Sequence, residues 1–292
     1  MELLVSLLDQ SDLDIYQKSG VTGIILAEKQ FSLASPKYFS KNEIKTITAL
    51  ASSKQLAVYL LVNRMMFDAD LDALKDWLRF LKEIKVTGIY FADLAVLTLA
   101  QKLKMTELLI YAPGAPLVNS FDAKVFLETG IKAVELANEI TLEEKLEIAR
   151  ILPKQLATVI HGHLIMSTSK RPLLSNYFSE IKKDYSVIDN YQLSLIEATR
   201  DRKMPIYENE HGTVIYQAEV LQSFQELNLL LDAGLEIFRI DAMFLSKSDL
   251  MLALKYYQKS LSGIKIQLSE INSQFEKELG HGYYYQASNL VK

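Results

Sequence analysis

Ser19-Gly20-Val21-Thr22-Gly23-Ile24-Ile25-Leu26 contains the phrase that decides the fold. A helical pattern ends at a glycine, and a short β-rich run follows at once. The phrase returns as Val86-Thr87-Gly88 before Ile89-Tyr90-Phe91 and as Thr129-Gly130-Ile131-Lys132 before Ala133-Val134-Glu135-Leu136. It appears again as Ala233-Gly234-Leu235-Glu236 before Ile237-Phe238-Arg239-Ile240. Glycine accepts the left-handed conformation that ends a helix, so the chain can turn back into a parallel strand. Strands that alternate with helices imply βαβ units.

Working outward, further strands are predicted at Glu2–Leu7, Leu56–Val62, Leu108–Tyr111 and Leu156–Ile160. With Gly23–Leu26, Ile89–Phe91, Ala133–Leu136 and Ile237–Ile240 they make eight. Helices are expected at Ser11–Lys18, Lys41–Ser53, Ala69–Ile84, Leu94–Leu103, Ser120–Glu128, Leu142–Ile151, Ala218–Asp232 and Ser246–Ser260. Leu71, Leu74, Trp77, Leu78 and Leu81 recur at helical spacing and should face inward. Thr141 and Glu144 read as a capping box. Eight strands with interleaved helices, and no phosphate-binding glycine fingerprint after the first strand, predict an α/β fold of the (β/α)8 TIM type. The whole chain, residues 1–292, is expected to be one such domain, with an insertion over about 161–217 after the seventh strand. Within that insertion, Met204–Gln217 reads as a hairpin around Glu210-His211-Gly212.

Composition narrows the chemistry. The chain has 292 residues, 49% of them hydrophobic, and a net charge of −4 with the signs interspersed. That gives no general drive toward nucleic acid or anionic membrane, though a local basic patch stays open. With no cysteine, disulfides, thiolate metal sites, cysteine nucleophiles and cysteine-bound iron–sulfur clusters within this chain are excluded. No apolar run approaches a membrane span, and Met1–Leu8 reads as a strand with no signal peptide, so a cytoplasmic protein is expected.

In such a barrel the functional groups sit at the C-terminal ends of the strands. Asn63-Arg64, Asp93, Tyr111, Asn138-Glu139, His161, His163 and Asp241 fall there. Together they predict a polar cavity, although individual residues could equally be helix caps. His161 and His163 would share one strand face. They could form an acid/base pair or, with Glu139, Asp241 or His211 as third donor, hold a divalent metal. A hydrogen-bonded structural histidine is the alternative. Gly162 between them suggests close backbone approach. Ser169-Lys170-Arg171-Pro172-Leu173-Leu174-Ser175-Asn176-Tyr177 sets two adjacent cations before hydrogen-bonding residues. It could hold a carboxylate or phosphate; it could also be a solvated loop anchored by Leu173, Leu174 and Tyr177. The tail Gly280-His281-Gly282-Tyr283-Tyr284-Tyr285 could cover the barrel mouth, stack on a base, or simply pack.

These residues together resemble peptidase family U32, the collagenase-like protease family, over nearly the whole chain. The signature-like part is His161-Gly162, Met166-Ser167, Ser169, Arg171 and Leu173-Leu174-Ser175-Asn176-Tyr177. Asn63, Asp93, Glu139, Asp201-Arg202-Lys203, Glu210-His211-Gly212-Thr213 and Gly282-Tyr283-Tyr284 support it. There are departures. Ile165 and Pro172 stand where typical members carry cysteines, Lys183–Gln192 replaces a cysteine-containing stretch, and the family's Glu-Gly-Arg appears as Asp241-Ala242-Met243.

The resemblance implies a barrel-like fold, no iron–sulfur cluster in this chain, and one of three roles. The first is tRNA wobble-uridine hydroxylation beside a longer cluster-bearing paralogue, in a pathway that depends on prephenate. In that role Lys170, Arg171 and Arg202 would meet the negative charge of a small carboxylate or of tRNA. Asn63, Asp93, Tyr111, His163, Ser169, Asn176, Tyr177 and His211 would also contact substrate, and His161, Glu139 and Asp241 would be the catalytic candidates. The second role is a collagenase-like peptidase, metal-assisted through His161, His163 and Glu139. The third is a non-catalytic binding or scaffold subunit, to which Asp241-Ala242-Met243 points.

Overall fold

A computed structural model describes residues 1–198 and 202–287; Asp201 lies outside the described residues. The strands are β1 (Glu2–Ser6), β2 (Gly23–Ala27), β3 (Ala57–Val62), β4 (Gly88–Phe91), β5 (Leu109–Tyr111), β6 (Ala133–Glu135) and β7 (Leu156–Ser169). They continue with β8 (Ser194–Leu195), β9 (Met204–Asn209), β10 (Gly212–Leu221), β11 (Ile237–Ile240) and β12 (Leu279–Gly280). β1 to β7 pair in sequence order, all parallel. β11 then joins β7 to β1, Ile237 pairing with Ala157 on one side and Glu2 on the other, which closes the eight-stranded cylinder. Helices follow the strands around the outside, as in a TIM barrel.

The cylinder is filled rather than hollow. Leu4, Ile25, Tyr59, Leu61, Tyr90, Ile110, Ala133, Ala157 and Ile237 form an apolar plug. Each such leucine or isoleucine contributes about 1.5–3 kcal/mol by leaving water. Lys132 bonds Glu2 at 2.9 Å, with Tyr59 beside them, below the plug. Outside, Leu74, Trp77, Leu78 and Leu81 of the helix Leu71–Glu83 are buried, as their spacing requires. Thr141 and Glu144 form the capping box.

Two local readings change. Gly20, Gly130 and Gly234 have positive φ and end helices, but in the second phrase Lys85 takes that role with φ 58°. Gly88 is needed instead for space, since a Cβ there would meet the Tyr59 ring inside the cylinder. The helix expected over Ala218–Asp232 is shorter: β10 runs to Leu221 and the helix spans Leu227–Asp232. Val220 and Leu221 are held in extended form by His163 and Gly162 on one side and by Leu279 and Gly280 on the other. Distant strand partners override local helix preference.

β7 has 14 residues, far longer than the five expected, because its outer half leaves the cylinder and pairs antiparallel with β10. β10 turns back from β9 at Glu210-His211, the predicted hairpin, and β8 adds an edge. Polar contacts dock this sheet on the loop after β2. Lys29 and Tyr207 bond Asp189 at 2.6 Å each, Tyr191 donates to the Ser35 carbonyl at 3.0 Å, and Asn209 donates to that of Leu33 at 2.9 Å. Among the described residues no helix is long and apolar enough to cross a membrane.

Candidate functional site

A cavity of about 350 Å³ opens at the C-terminal end of the cylinder. Asn63, Asp93, Glu139 and Asp241 line it, as do Glu135, Arg239, Tyr90, Arg64 and Tyr216. The outer half of β7, Ile165 to Thr168, forms one wall.

Its floor is a buried ion cluster. Alternation along β11 turns Ile237 and Arg239 inward. Arg239 donates through Nε and Nη2 to both oxygens of Glu135 at 2.8 Å each, and through Nη1 to Asp241 at 2.9 Å. The guanidinium lies 5.7 Å from the centre of the Tyr90 ring. Burial alone would lower the Arg239 pKa; the flanking Glu135 and Asp241 carboxylates outweigh it and hold the guanidinium charged. Asp241 also accepts the Met243 amide at 3.0 Å. Gly162 sits against this turn: its φ is 125°, and a Cβ would meet the Asp241 carbonyl oxygen. The close approach expected of that glycine is therefore to the turn that carries Asp241, just past β11.

The side walls are held by caps. Asp93 accepts from Ala95 at 2.9 Å, starting the helix Leu94–Leu103, and from Met66 at 2.8 Å, which ties down the neighbouring loop. Asn63 accepts from Leu33 at 3.1 Å. Arg64 is buried and bound to Asp70 at 2.9 Å, and its hydrogen bonds hold the Asp70 carboxyl well below the usual carboxylate range. Lys145 is fully buried and donates to the Ala137 carbonyl at 2.7 Å, fixing the turn that presents Asn138 and Glu139. Burial lowers its pKa to about 8, with Glu135 opposing.

The remaining candidates lie elsewhere. His161 and His163 do not line the cavity. His161 is completely buried behind the barrel wall, against Phe224, Tyr257 and Phe275. Its pKa falls to about 3, through burial first and His163 second. His163 donates through Nδ1 to the Gln217 carbonyl, 2.8 Å away, and its ring meets Phe244. The positive φ at Gly162 breaks the simple alternation, so the two rings pack on different aromatic sets. Their expected placement at the mouth, and their convergence with Glu139, Asp241 or His211, is thus corrected. Among the described residues no three His, Asp or Glu side chains gather as a metal-binding group.

Tyr111 points outward and packs its ring, tilted, against Phe126 and Phe91. His211 Nε2 bonds the Lys29 carbonyl at 2.8 Å. Arg202 pairs with Glu219 and, at 3.0 Å, with Glu278. Ser169 accepts the Arg171 amide at 3.1 Å, and Lys170 lies 4.8 Å over the Phe67 ring, beside the mouth. Asn176 and Tyr177 stand exposed on the helix Leu173–Glu180. The buried Glu208 carboxylate holds that helix by accepting Leu174 N at 2.7 Å, Ser175 N at 3.0 Å and Thr213 Oγ1 at 2.6 Å. The tail does not cover the mouth. Tyr284 is buried beside Ser223, and Tyr285 donates to Glu226 at 2.7 Å.

Arg239 and Glu135 were not among the residues singled out from the sequence. The available signal is a charged residue inside a short apolar strand. In a parallel barrel such a charge is buried and must find a partner.

Fold and site define a (β/α) barrel with a carboxylate-rich mouth walled on one side by an antiparallel insertion. The chain belongs to peptidase family U32, whose model matches residues 9–289. It is 27% identical to tRNA hydroxylation protein P2 of Bacillus subtilis, over 89% of this chain and 85% of that protein. It is also 27% identical to tRNA hydroxylation protein P of Helicobacter pylori, over 60% of this chain but only 42% of that longer protein. Among solved structures the U32 peptidase Mk0906 superposes with a TM-score of 0.51 at 15% identity, over 82% of this chain and 92% of that one, a likeness of fold.

Proposed function

We propose that this chain acts in hydroxylation of tRNA wobble uridine, forming 5-hydroxyuridine together with a longer, cluster-bearing U32 relative. The observation that carries the reading is the similarity to tRNA hydroxylation protein P2 along most of both chains. The chain itself has no cysteine to ligate an iron–sulfur cluster. A redox centre of that kind would come from the partner, while this chain supplies a shaped polar mouth. The experiment is nucleoside analysis of tRNA from a strain lacking the gene. Loss of 5-hydroxyuridine, restored by the gene in trans, is expected; unchanged levels count decisively against the reading.

A non-catalytic binding subunit is favoured within this scheme by one feature. Asp241, the acid that remains from the family's motif, is committed to Arg239 and the Met243 amide. The metal-assisted peptidase reading draws no such support, since His161 and His163 lie apart from Glu139. Purified protein is expected to leave gelatin uncut with or without added divalent metal, and gelatin cleavage abolished by Glu139→Ala would revive the peptidase.

A further inference from the structure

The mouth has a charge gradient that discriminates between ligands. At depth, Glu135, Asp241, Asp93 and Glu139 face the cavity, and its two guanidiniums, Arg239 and Arg64, are already bound to carboxylates. A small dicarboxylate entering there would leave water and meet like charge, with no cation left to receive it. An uncharged ring carrying both donors and acceptors meets no such penalty. The Tyr90 hydroxyl is buried on the cavity wall with no hydrogen-bond partner among the described residues, so it can donate to a carbonyl. The Asn63 and Asn138 side-chain amides and the Glu139 carboxylate can serve the remaining edges.

The rim carries the opposite sign. Ser167 and Thr168 of the cavity wall lead directly to Lys170 and Arg171. Lys170 sits over Phe67, a residue 59% exposed and two positions past the cavity-lining Met65. Cations with an exposed aromatic outside, and acceptors with a lone hydroxyl inside, match a nucleotide: phosphates on the rim, base within.

We infer that the mouth receives a single extruded nucleobase of an RNA strand whose phosphates track over Lys170 and Arg171, and that it excludes small carboxylates. The inference rests on the tRNA reading and specifies which part of the RNA this site holds. A cavity of about 350 Å³ is at the lower end of the range for small-molecule sites, roughly 300–1,000 Å³.

The test is fluorescence anisotropy with a labelled RNA hairpin bearing a loop uridine, and with the same hairpin carrying an abasic site there. It is run on the chain alone and with the longer relative added. The abasic hairpin is expected to bind roughly tenfold or more weakly. Ala115→Trp, which plugs the mouth from an exposed loop, should bring the uridine hairpin down to the abasic level. Lys170→Glu with Arg171→Glu should weaken both hairpins and flatten the salt dependence. Prephenate, used as the dicarboxylate probe, should not displace the uridine hairpin. Equal binding of the two hairpins, indifference to Ala115→Trp, displacement by prephenate, or no hairpin binding at all would each overturn the inference. The nucleoside analysis of the deletion strain judges the tRNA reading separately: lost 5-hydroxyuridine with a base-indifferent mouth would sink this inference alone.

Discussion

β7 passes through two environments that its sequence does not separate. Ser167 and Thr168 line an open, acidic mouth, whereas His161, on the same strand, is fully enclosed by Phe224, Tyr257 and Phe275 behind the wall. The mouth keeps its charges by pairing them. The back wall keeps its imidazole by refusing the proton. The lesson is that closeness in a motif does not imply a shared site: Gly162, pressed against Asp241, redirects the chain between the two regions.

The sharpest way to break the comparison is at Arg239. Arg239→Ala leaves the buried Glu135 and the partly buried Asp241 without a cation and should cost about 3–5 kcal/mol, read by urea denaturation. Replacing all three together, as Glu135→Leu, Arg239→Met and Asp241→Leu, should cost clearly less, because no charge is stranded. If the single change is as mild as the triple one, the mouth is not held by paired charge.

The back wall is probed by acid. Below pH 6.5 the unfolded chain protonates His161, while the folded chain resists until about pH 3. The stability tied to this residue is complete above about pH 6.5 and is lost as pH falls toward 3, by about 1.4 kcal/mol per pH unit where steepest. His161→Phe should flatten that slope in denaturation curves taken at pH 7, 6 and 5. An unchanged slope would place the ring in water.

Three smaller effects sharpen the contrast between holding and contacting residues. Glu208→Ala removes the carboxylate under the helix Leu173–Glu180 and should cost about 1–3 kcal/mol. Amide exchange should rise at Leu174 and Ser175 and stay unchanged at Leu97 and Ala100. Asp93→Ala removes a cap that serves two amides and should cost about 1 kcal/mol, with faster exchange at Ala95 and Met66. Arg171→Ala should change stability by less than about 0.5 kcal/mol while lowering 5-hydroxyuridine in vivo. A normal modification level in that strain would remove Arg171 from the RNA path.

Much of this was legible in the sequence. Gly20, Gly130 and Gly234 mark where helices stop, the apolar runs after them mark strands, and together these local periodicities specify the barrel. The missing cysteines exclude a cluster in this chain, and His161-Gly162 to Tyr177 carry the kinship with the U32 family. Tertiary structure decided what local pattern cannot encode. It placed His161 behind the wall, took Gly88 for the space of Tyr59, drew Val220 into a strand and joined Arg239 to Glu135 across the cylinder. Periodicity depends on neighbours a few residues away. The side of a wall on which a ring falls, and the partner a buried charge finds, depend on residues far along the chain: Tyr257 is 96 positions from His161 and Glu135 is 104 from Arg239.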